Sequence, residues 1–416
     1  MRVAYFSPLP PDTSGIADYS ALLLPALERL VEVEVVRPGR TRPLAGTDVA
    51  LYHVGNDPDA HGWIVDALRR RPGVVVLHDF VIHHLVAGLT IGRKDGHAYL
   101  AAMEREAGVP GRLLGWGVIE GRVPPLWEVR PQEFPLAGEV LDLATGAIVH
   151  SRYVEARVRE HGYDGPLWRI PHPAWPVGEV EPAAVSGGPL IGCFGHLNES
   201  KRIPQLLRAF AELRRTHPGA RLLLVGAETP GFSIREELTE GVIREPYVEE
   251  ARLWSLMAAC DAIALLRSPT MGETSGSAIR ALSLGKPLVV SDLGWFAELP
   301  DAVALKVAPG GDDEVPALAA ALARLAENAA FREQTAAAAV AAAREQSFAA
   351  VAAEHDELYT RLARRRRPPR EAEPLRDREW ILCDLHMHTS WSHDCAVAPA
   401  DLVEHAEAEG LGAIAV

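Results

Sequence analysis

Cysteine is scarce: Cys193, Cys260, Cys383 and Cys395 are the only four in 416 residues, and no two form a CxxC pair. Neither a disulfide framework nor a structural zinc site follows from them, and a reducing cytoplasmic setting fits. Long hydrophobic runs are missing as well. No stretch reaches about 18 uninterrupted apolar residues, the length a membrane span needs. The opening MRVAYFSPLPP is an apolar run cut short by turn residues, which lacks the length of a signal peptide. Positive charge is also in deficit. Lys plus Arg number 42 against 56 Asp plus Glu, a formal net charge of −14, which excludes a general nucleic-acid binder.

What is present is ordinary for a globular chain: 48% hydrophobic and 24% charged residues, enough apolar material for more than one core. The length suggests two to three domains. Short β-rich runs alternate with longer helical patterns. Strands are expected at 2–6, 49–53, 74–77 and 147–150, with helices over 16–30 and from Tyr153. Pro171, Pro173 and Pro176 and the turn-rich stretch 177–188 read as an interdomain linker. A second series then gives strands at 190–194, 221–225, 262–266, 287–291 and 303–307, with helices including 203–215 and 278–284. The stretch 315–362 is Ala-rich and helical in pattern. The expected fold class is α/β: two doubly wound, Rossmann-like domains at 1–180 and 187–365, facing each other across a cleft. A basic, Pro-containing linker at 366–379 and a further element at 380–416 complete the chain. The run Arg364–Arg367 is compatible with peripheral contact to an anionic membrane, and equally with a solvated linker.

Ligands of open α/β sheets bind at the carboxyl ends of strands, so the residues just past those ends carry the functional reading. After the first strand, Thr13 or Ser14 can cap a helix, and Gly15 lets a ligand approach the backbone. This loop is not GxGxxG, so a dinucleotide fingerprint is absent. His78 and Asp79 follow the strand at 74–77; the imidazole can donate to a sugar hydroxyl or assist proton transfer, or else be a hydrogen-bonded histidine under a loop. His83 and His84, on the following helix, read as structural or acceptor-side. In the second series, Gly195 gives a tight strand exit and His196 follows it. Lys201, expected at a helix start, can neutralise a diphosphate leaving group. The densest polar stretch is 272–292. There Ser275 or Ser277 can cap a helix, and the amides at Gly276 and Ser277 can hold phosphate or sugar oxygens. Glu273 can accept from sugar hydroxyls, and Arg280 falls within the first turns of the same helix.

With these motifs, residues 1 to about 365 resemble retaining GT-B glycosyltransferases of family 4. The resemblance implies a nucleoside-diphosphate sugar held mainly by the second domain, and no required metal or other cofactor. It implies retention of anomeric configuration, by front-face attack in which the leaving phosphate aids deprotonation. Lys201 matches the family's phosphate lysine, Gly15 its N-terminal glycine loop, and His78 its active-site histidine. On this reading His78, Glu273 and Lys201 are the catalytic candidates. Gly15, Gly195, His196, Lys201, Glu273, Ser275, Gly276, Ser277 and Arg280 hold the donor. Two departures stand out. The family usually has Arg where His196 stands. Its second glutamate, which normally holds the ribose, falls at Arg280, and its first is displaced by one residue to Glu273. Arg280 can reach phosphate instead.

The residues do not identify the acceptor; a saccharide or lipid-linked one is expected. The stretch 91–134, with Trp116 and Trp127, either stacks on it or packs as an irregular insertion. Two alternatives remain beside the transferase: a catalytically weak GT-B nucleotide-sugar-binding protein, and a nucleotide-sugar epimerase on the same scaffold. A phosphorylase is disfavoured by the lack of a lysine-cofactor motif.

The tail carries a separate signal. His386-x-His388 ends an apolar strand, so both imidazoles point the same way, a good start for a metal site, with Asp394 close by. This resembles the opening of a PHP-type metal-dependent phosphoesterase domain. Divalent metals are expected only in a complete domain of that kind, since roughly 40 residues cannot build its barrel. The expectation is that these 416 residues are part of a longer fused protein.

Overall fold

The computed structural model describes residues 1–12, 14–39, 46–229, 231–235, 238–366, 383–384, 397–408 and 413–414. They form two compact units, Met1–Arg364 and Arg365–Val416.

The first unit opens with β1 (Arg2–Phe6), α1 (Gly15–Leu27), β2 (Glu32–Val36), β3 (Val49–Val54), α2 (Pro58–Arg70), β4 (Val74–Leu77) and α3 (His83–Leu89). Then come α4 (Gly96–Ile119), α5 (Leu126–Val129), α6 (Gly138–Leu141), β5 (Gly146–Val149), α7 (Arg152–Glu160) and β6 (Leu167–Arg169). The six strands are all parallel in the order β2-β1-β3-β4-β5-β6, with Tyr5 opposite Leu51 and Val54 opposite Leu77. VALYHV, VVVL and GAIV are buried throughout, as central strands covered by helices on both faces must be. The β2 sequence EVEVV alternates charged and apolar residues, which suits an edge. Ser14 is the cap of α1, its Oγ accepting from Ala17 N at 3.0 Å.

The same unit continues with β7 (Leu190–Phe194), α8 (Ile203–Thr216), β8 (Arg221–Val225), β9 (Val242–Glu245), α9 (Glu250–Ala259) and β10 (Ala262–Leu265). It ends with α10 (Gly276–Ser283), β11 (Leu288–Ser291), β12 (Ala304–Val307), α11 (Glu314–Glu327), α12 (Ala329–Glu345) and α13 (Phe348–Arg366). A second all-parallel sheet has the order β12-β11-β10-β7-β8-β9. In α8, Ile203, Leu206, Leu207, Phe210 and Leu213 form one apolar stripe, which shares a core with Leu318, Leu322 and Leu325 of α11. Although α13 follows the second series in the chain, its Val351, Ala352, Leu358 and Tyr359 pack with Val3 and Tyr5 of β1 and Leu23 of α1.

Several contacts join the two sheets' domains. Val81 N donates to Met271 O at 2.9 Å, and Ala174 N to Gln346 O at 2.6 Å. Glu298 accepts from the amides of Arg152 (3.0 Å) and Tyr153 (2.6 Å), closing the start of α7 from the other domain. Gly272 has φ +85°, and a Cβ there would lie 2.7 Å from Phe80 Cβ, so only glycine permits this approach.

In the second unit, β13 (Cys383–Asp384) and β14 (Ala413–Ile414) pair in parallel across α14 (Pro399–Ala408), which buries Leu402 and Ala406. His386 and His388 lie outside the described residues. Among the described residues, no helix is long and apolar enough to cross a membrane, and no cluster of His, Cys, Asp and Glu is arranged to hold a metal ion.

Candidate functional site

A cavity of about 530 Å³ lies where the carboxyl ends of the two sheets face each other. The first domain contributes Ser14, Gly15, Asn56, Asp57, His61, His78, Asp79, His84 and His150. The connection between the domains contributes His172 and Trp175, and the second domain His196, Asn198, Glu273, Thr274 and Gly276. Another cavity, of about 410 Å³, lies away from both strand-end clusters, against α4, α6 and α7.

The most constrained part is the exit of β7. Gly195 has φ +96°, and a Cβ on it would fall 2.6 Å from Lys201 Nζ and 3.5 Å from Ser277 Oγ. A concave cradle therefore lies above Gly195, walled by an ammonium and a hydroxyl. Lys201 reaches it from a 3-10 turn, Glu199–Lys201, capped by Asn198, rather than from the first turn of α8. Arg202, with φ +53°, intervenes before α8 begins, which corrects the helix-start placement. Lys201 Nζ donates to Phe194 O at 2.7 Å and is paired with no carboxylate among the described residues. Burial is the main cause that brings its pKa down to about 8, with the Arg267 charge adding and Cys193 and Glu273 opposing. An anion in the cradle would restore the ammonium.

At the start of α10 the two serines divide their roles. Ser275 Oγ accepts from Ala278 N at 3.3 Å and is the helix cap, while Ser277 faces the cradle. Glu273 lines the cavity with its carboxylate held on three sides. Thr270 Oγ1 (2.9 Å) and Met271 N (2.7 Å) donate to Oε2, and Arg267 Nε lies 2.7 Å from Oε1. Arg267 also donates to Ser200 Oγ at 3.2 Å. Arg267 is a site residue beyond those expected from the sequence, and its place just past β10 is the signal that marks it.

Arg280 lies beside the start of α10, its Nη1 3.5 Å from the point where a Cβ on Gly276 would sit. Its guanidinium lies 4.2 Å from the centre of the Trp175 ring, pairs with Asp18 at 3.0 Å, and is 3.8 Å from Glu250. It is buried and is not among the residues lining the cavity, and its ion pair with Asp18 bridges to α1 of the first domain.

The opposite wall is rich in histidine. His78 Nε2 is 2.9 Å from His53 Nδ1, beneath a ring cluster in which Tyr19 touches His53, His78, His150 and His172. Burial holds His78 well below its ordinary value, and holds His61 and His150 down to about 4 and His172 to about 3. Asp79 accepts from Asn56 N at 2.9 Å and is pushed up to about 7, first by burial and then by the Glu273 charge. His84 sits at the cavity, whereas His83 is buried between Phe134 O and Tyr99 Oη. His61, His150, His172 and Trp175 were not singled out from sequence.

Residues 188–328 match the family model described as Glycosyl transferases group 1. No curated protein sequence matches the chain. Among solved structures, sucrose-phosphate synthase from Thermosynechococcus elongatus is similar over 87% of this chain and 99% of its own, with a TM-score of 0.59 at 18% identity. The Anabaena protein HepE, solved in complex with UDP-glucose, is similar over 87% of this chain and 100% of its own, with a TM-score of 0.56 at 17% identity. The pneumococcal O-GlcNAc transferase GtfA, in complex with UDP and GlcNAc, has a TM-score of 0.50 at 13% identity over 75% of this chain and 57% of its own. Two six-stranded parallel sheets about a common cleft, the likeness of 87% of the chain to the first two of these structures, and the match over 188–328 together give this chain the GT-B glycosyltransferase fold.

Proposed function

We propose that the chain is a retaining glycosyltransferase that moves a sugar from a nucleoside-diphosphate sugar to a hydroxyl-bearing acceptor. The observation that carries this reading is the cradle above Gly195, where the buried Lys201 ammonium, paired with no carboxylate among the described residues, and the Ser277 hydroxyl converge on one point. The amides of Gly276 and Ser277 at the open start of α10 add further donors. A diphosphate held there places the donor sugar against Glu273, His196 and the His78 wall. With retention, the leaving phosphate oxygen takes the acceptor's proton on the same face that the new bond forms. The UDP-glucose in HepE supports a donor of this class.

The test is nucleoside-diphosphate release from UDP-, ADP- and GDP-glucose by the purified chain without acceptor, and then with a sugar acceptor. Slow hydrolysis of one donor is expected, lost in Lys201→Ala, with product of unchanged anomeric configuration by NMR. Failure to bind or turn over any of the three overturns the reading. The diversion of Arg280 to Asp18 favours the second reading, a weakly catalytic nucleotide-sugar-binding protein, and binding without release would select it.

A further inference from the structure

The proton positions on the histidine wall are fixed by what each ring touches. His61 Nδ1 is 3.1 Å from His53 O, His84 Nδ1 3.2 Å from Asn56 O, and His172 Nδ1 2.9 Å from Pro173 O. A backbone carbonyl only accepts, so each Nδ1 carries the hydrogen, and a ring in its neutral form keeps its lone pair on Nε2. Among the described residues, none of these three Nε2 atoms has a hydrogen-bond donor. Above Gly55 a Cβ would meet the Ile16 Cδ1 methyl first, at 2.5 Å, with His61 Nε2 at 3.0 Å and Asp79 Oδ2 at 3.2 Å beside it. Asp57 and Glu273 add carboxylates, and no Lys or Arg occurs among the described residues lining the cavity.

A wall of lone pairs and carboxylates selects by what it can accept. It satisfies hydroxyl groups, and it sets a phosphate or carboxylate against Asp57 and Asp79, with no Lys or Arg among the described residues lining the cavity to offset them. Burial keeps His61 and His172 neutral at ordinary pH, so neither rescues an anion by protonating. The cationic cradle at Lys201 lies on the donor side, where the diphosphate of the first substrate occupies it.

We infer that the first-domain wall of the cleft recognises an uncharged, hydroxyl-rich saccharide as the second substrate and rejects its phosphorylated or carboxylated counterparts. The inference rests on the transferase reading above and adds the chemical class of the acceptor.

The experiment pairs glucose with glucose 6-phosphate, and fructose with fructose 6-phosphate, at equal concentrations. The readout is stimulation of nucleoside-diphosphate release over acceptor-free hydrolysis. The neutral member of each pair is expected to stimulate at least about tenfold more, about 1.4 kcal/mol in transition-state binding. Equal or greater stimulation by the phosphorylated member overturns the inference. His84→Arg places a cation at the mouth of the same wall and is expected to shift the ratio about tenfold toward the phosphorylated acceptor. An unchanged ratio also overturns it. Loss of acceptor-free hydrolysis in the unaltered chain would instead strike the transferase reading, so the two failures are distinguishable.

Discussion

The Lys201 ammonium lies 2.6 Å from the point where a methyl group on Gly195 would sit, so the two positions share one space. Gly195→Ala is therefore expected to act twice. The left-handed backbone costs an alanine about 1–2 kcal/mol, and the methyl group fills the cradle. Thermal unfolding should show the first effect, and calorimetry with the turned-over nucleotide should show affinity reduced at least about tenfold. Unaltered affinity would mean that no phosphate uses the cradle.

Lys201 gives a signed pH dependence. Its pKa is about 8 in the fold against an ordinary 10.5, so between those values the unfolded chain binds the extra proton. The unliganded fold should gain stability as pH rises through that window. Bound diphosphate holds the proton on the amine and reverses the preference. Nucleotide affinity should be flat below about pH 8 and fall about tenfold per pH unit above it. Lys201→Ala should abolish that slope and lower sugar transfer at neutral pH roughly tenfold or more, the worth of one charge-assisted hydrogen bond.

Glu273→Ala removes the acceptor for Thr270 and Met271 and the counter-charge of Arg267 together. Transfer should fall roughly tenfold or more. Glu273→Gln keeps one oxygen for the amide and hydroxyl but leaves Arg267 uncompensated, so an intermediate rate is expected. Steady-state kinetics on both variants at saturating donor tests this, and wild-type turnover in both would remove Glu273 from the site.

Arg280 and Asp18 should be coupled energetically across the domain boundary. Arg280→Met loses the ion pair and the stacking on Trp175, and is expected to cost about 1–3 kcal/mol, tempered by the partial exposure of Asp18. A double-mutant cycle with Asp18→Asn, read by urea unfolding, should give a coupling of about 0.5 kcal/mol or more. Zero coupling would show that the bridge adds nothing to stability.

How far the sequence could be read depended on the range of the interactions involved. Central strands such as VVVL are legible because burial on both faces demands an unbroken apolar run. β2, β6 and β9 were passed over. The first alternates charge with valine at an edge, the second is three residues long, and the third is only half-buried. Gly195, Lys201 and Glu273 could be proposed from local spacing. The destination of Arg280 could not, because Asp18 stands 262 positions upstream. The histidine wall was equally hidden, since His61, His78, His150 and His172 come from separate segments that only the sheet order brings together.

Those histidines also set the acid limit of the fold. His61 and His150 sit at about 4 in the folded chain against an ordinary 6.5, so the unfolded state takes up protons first as pH falls. Stability is at its plateau above about 6.5 and is lost progressively below it, by roughly 2 kcal/mol per histidine at pH 5. Urea midpoints at pH 7 and pH 5 should differ accordingly, and His61→Asn should narrow the difference. Equal midpoints at the two pH values would contradict the buried, neutral state of these rings.

The carboxylate of Glu298 finishes a helix that belongs to the other half of the molecule, 146 residues before it at Arg152. This bears on grafting. A hybrid enzyme that joins the first domain of this chain to a foreign second domain inherits α7 with two open amides beside the cleft, unless the foreign part carries an acidic side chain at that point. The seam of such a hybrid therefore has to be matched at Glu298 as well as at the connecting segment. Two halves that each fold well alone can still make a poorly joined whole.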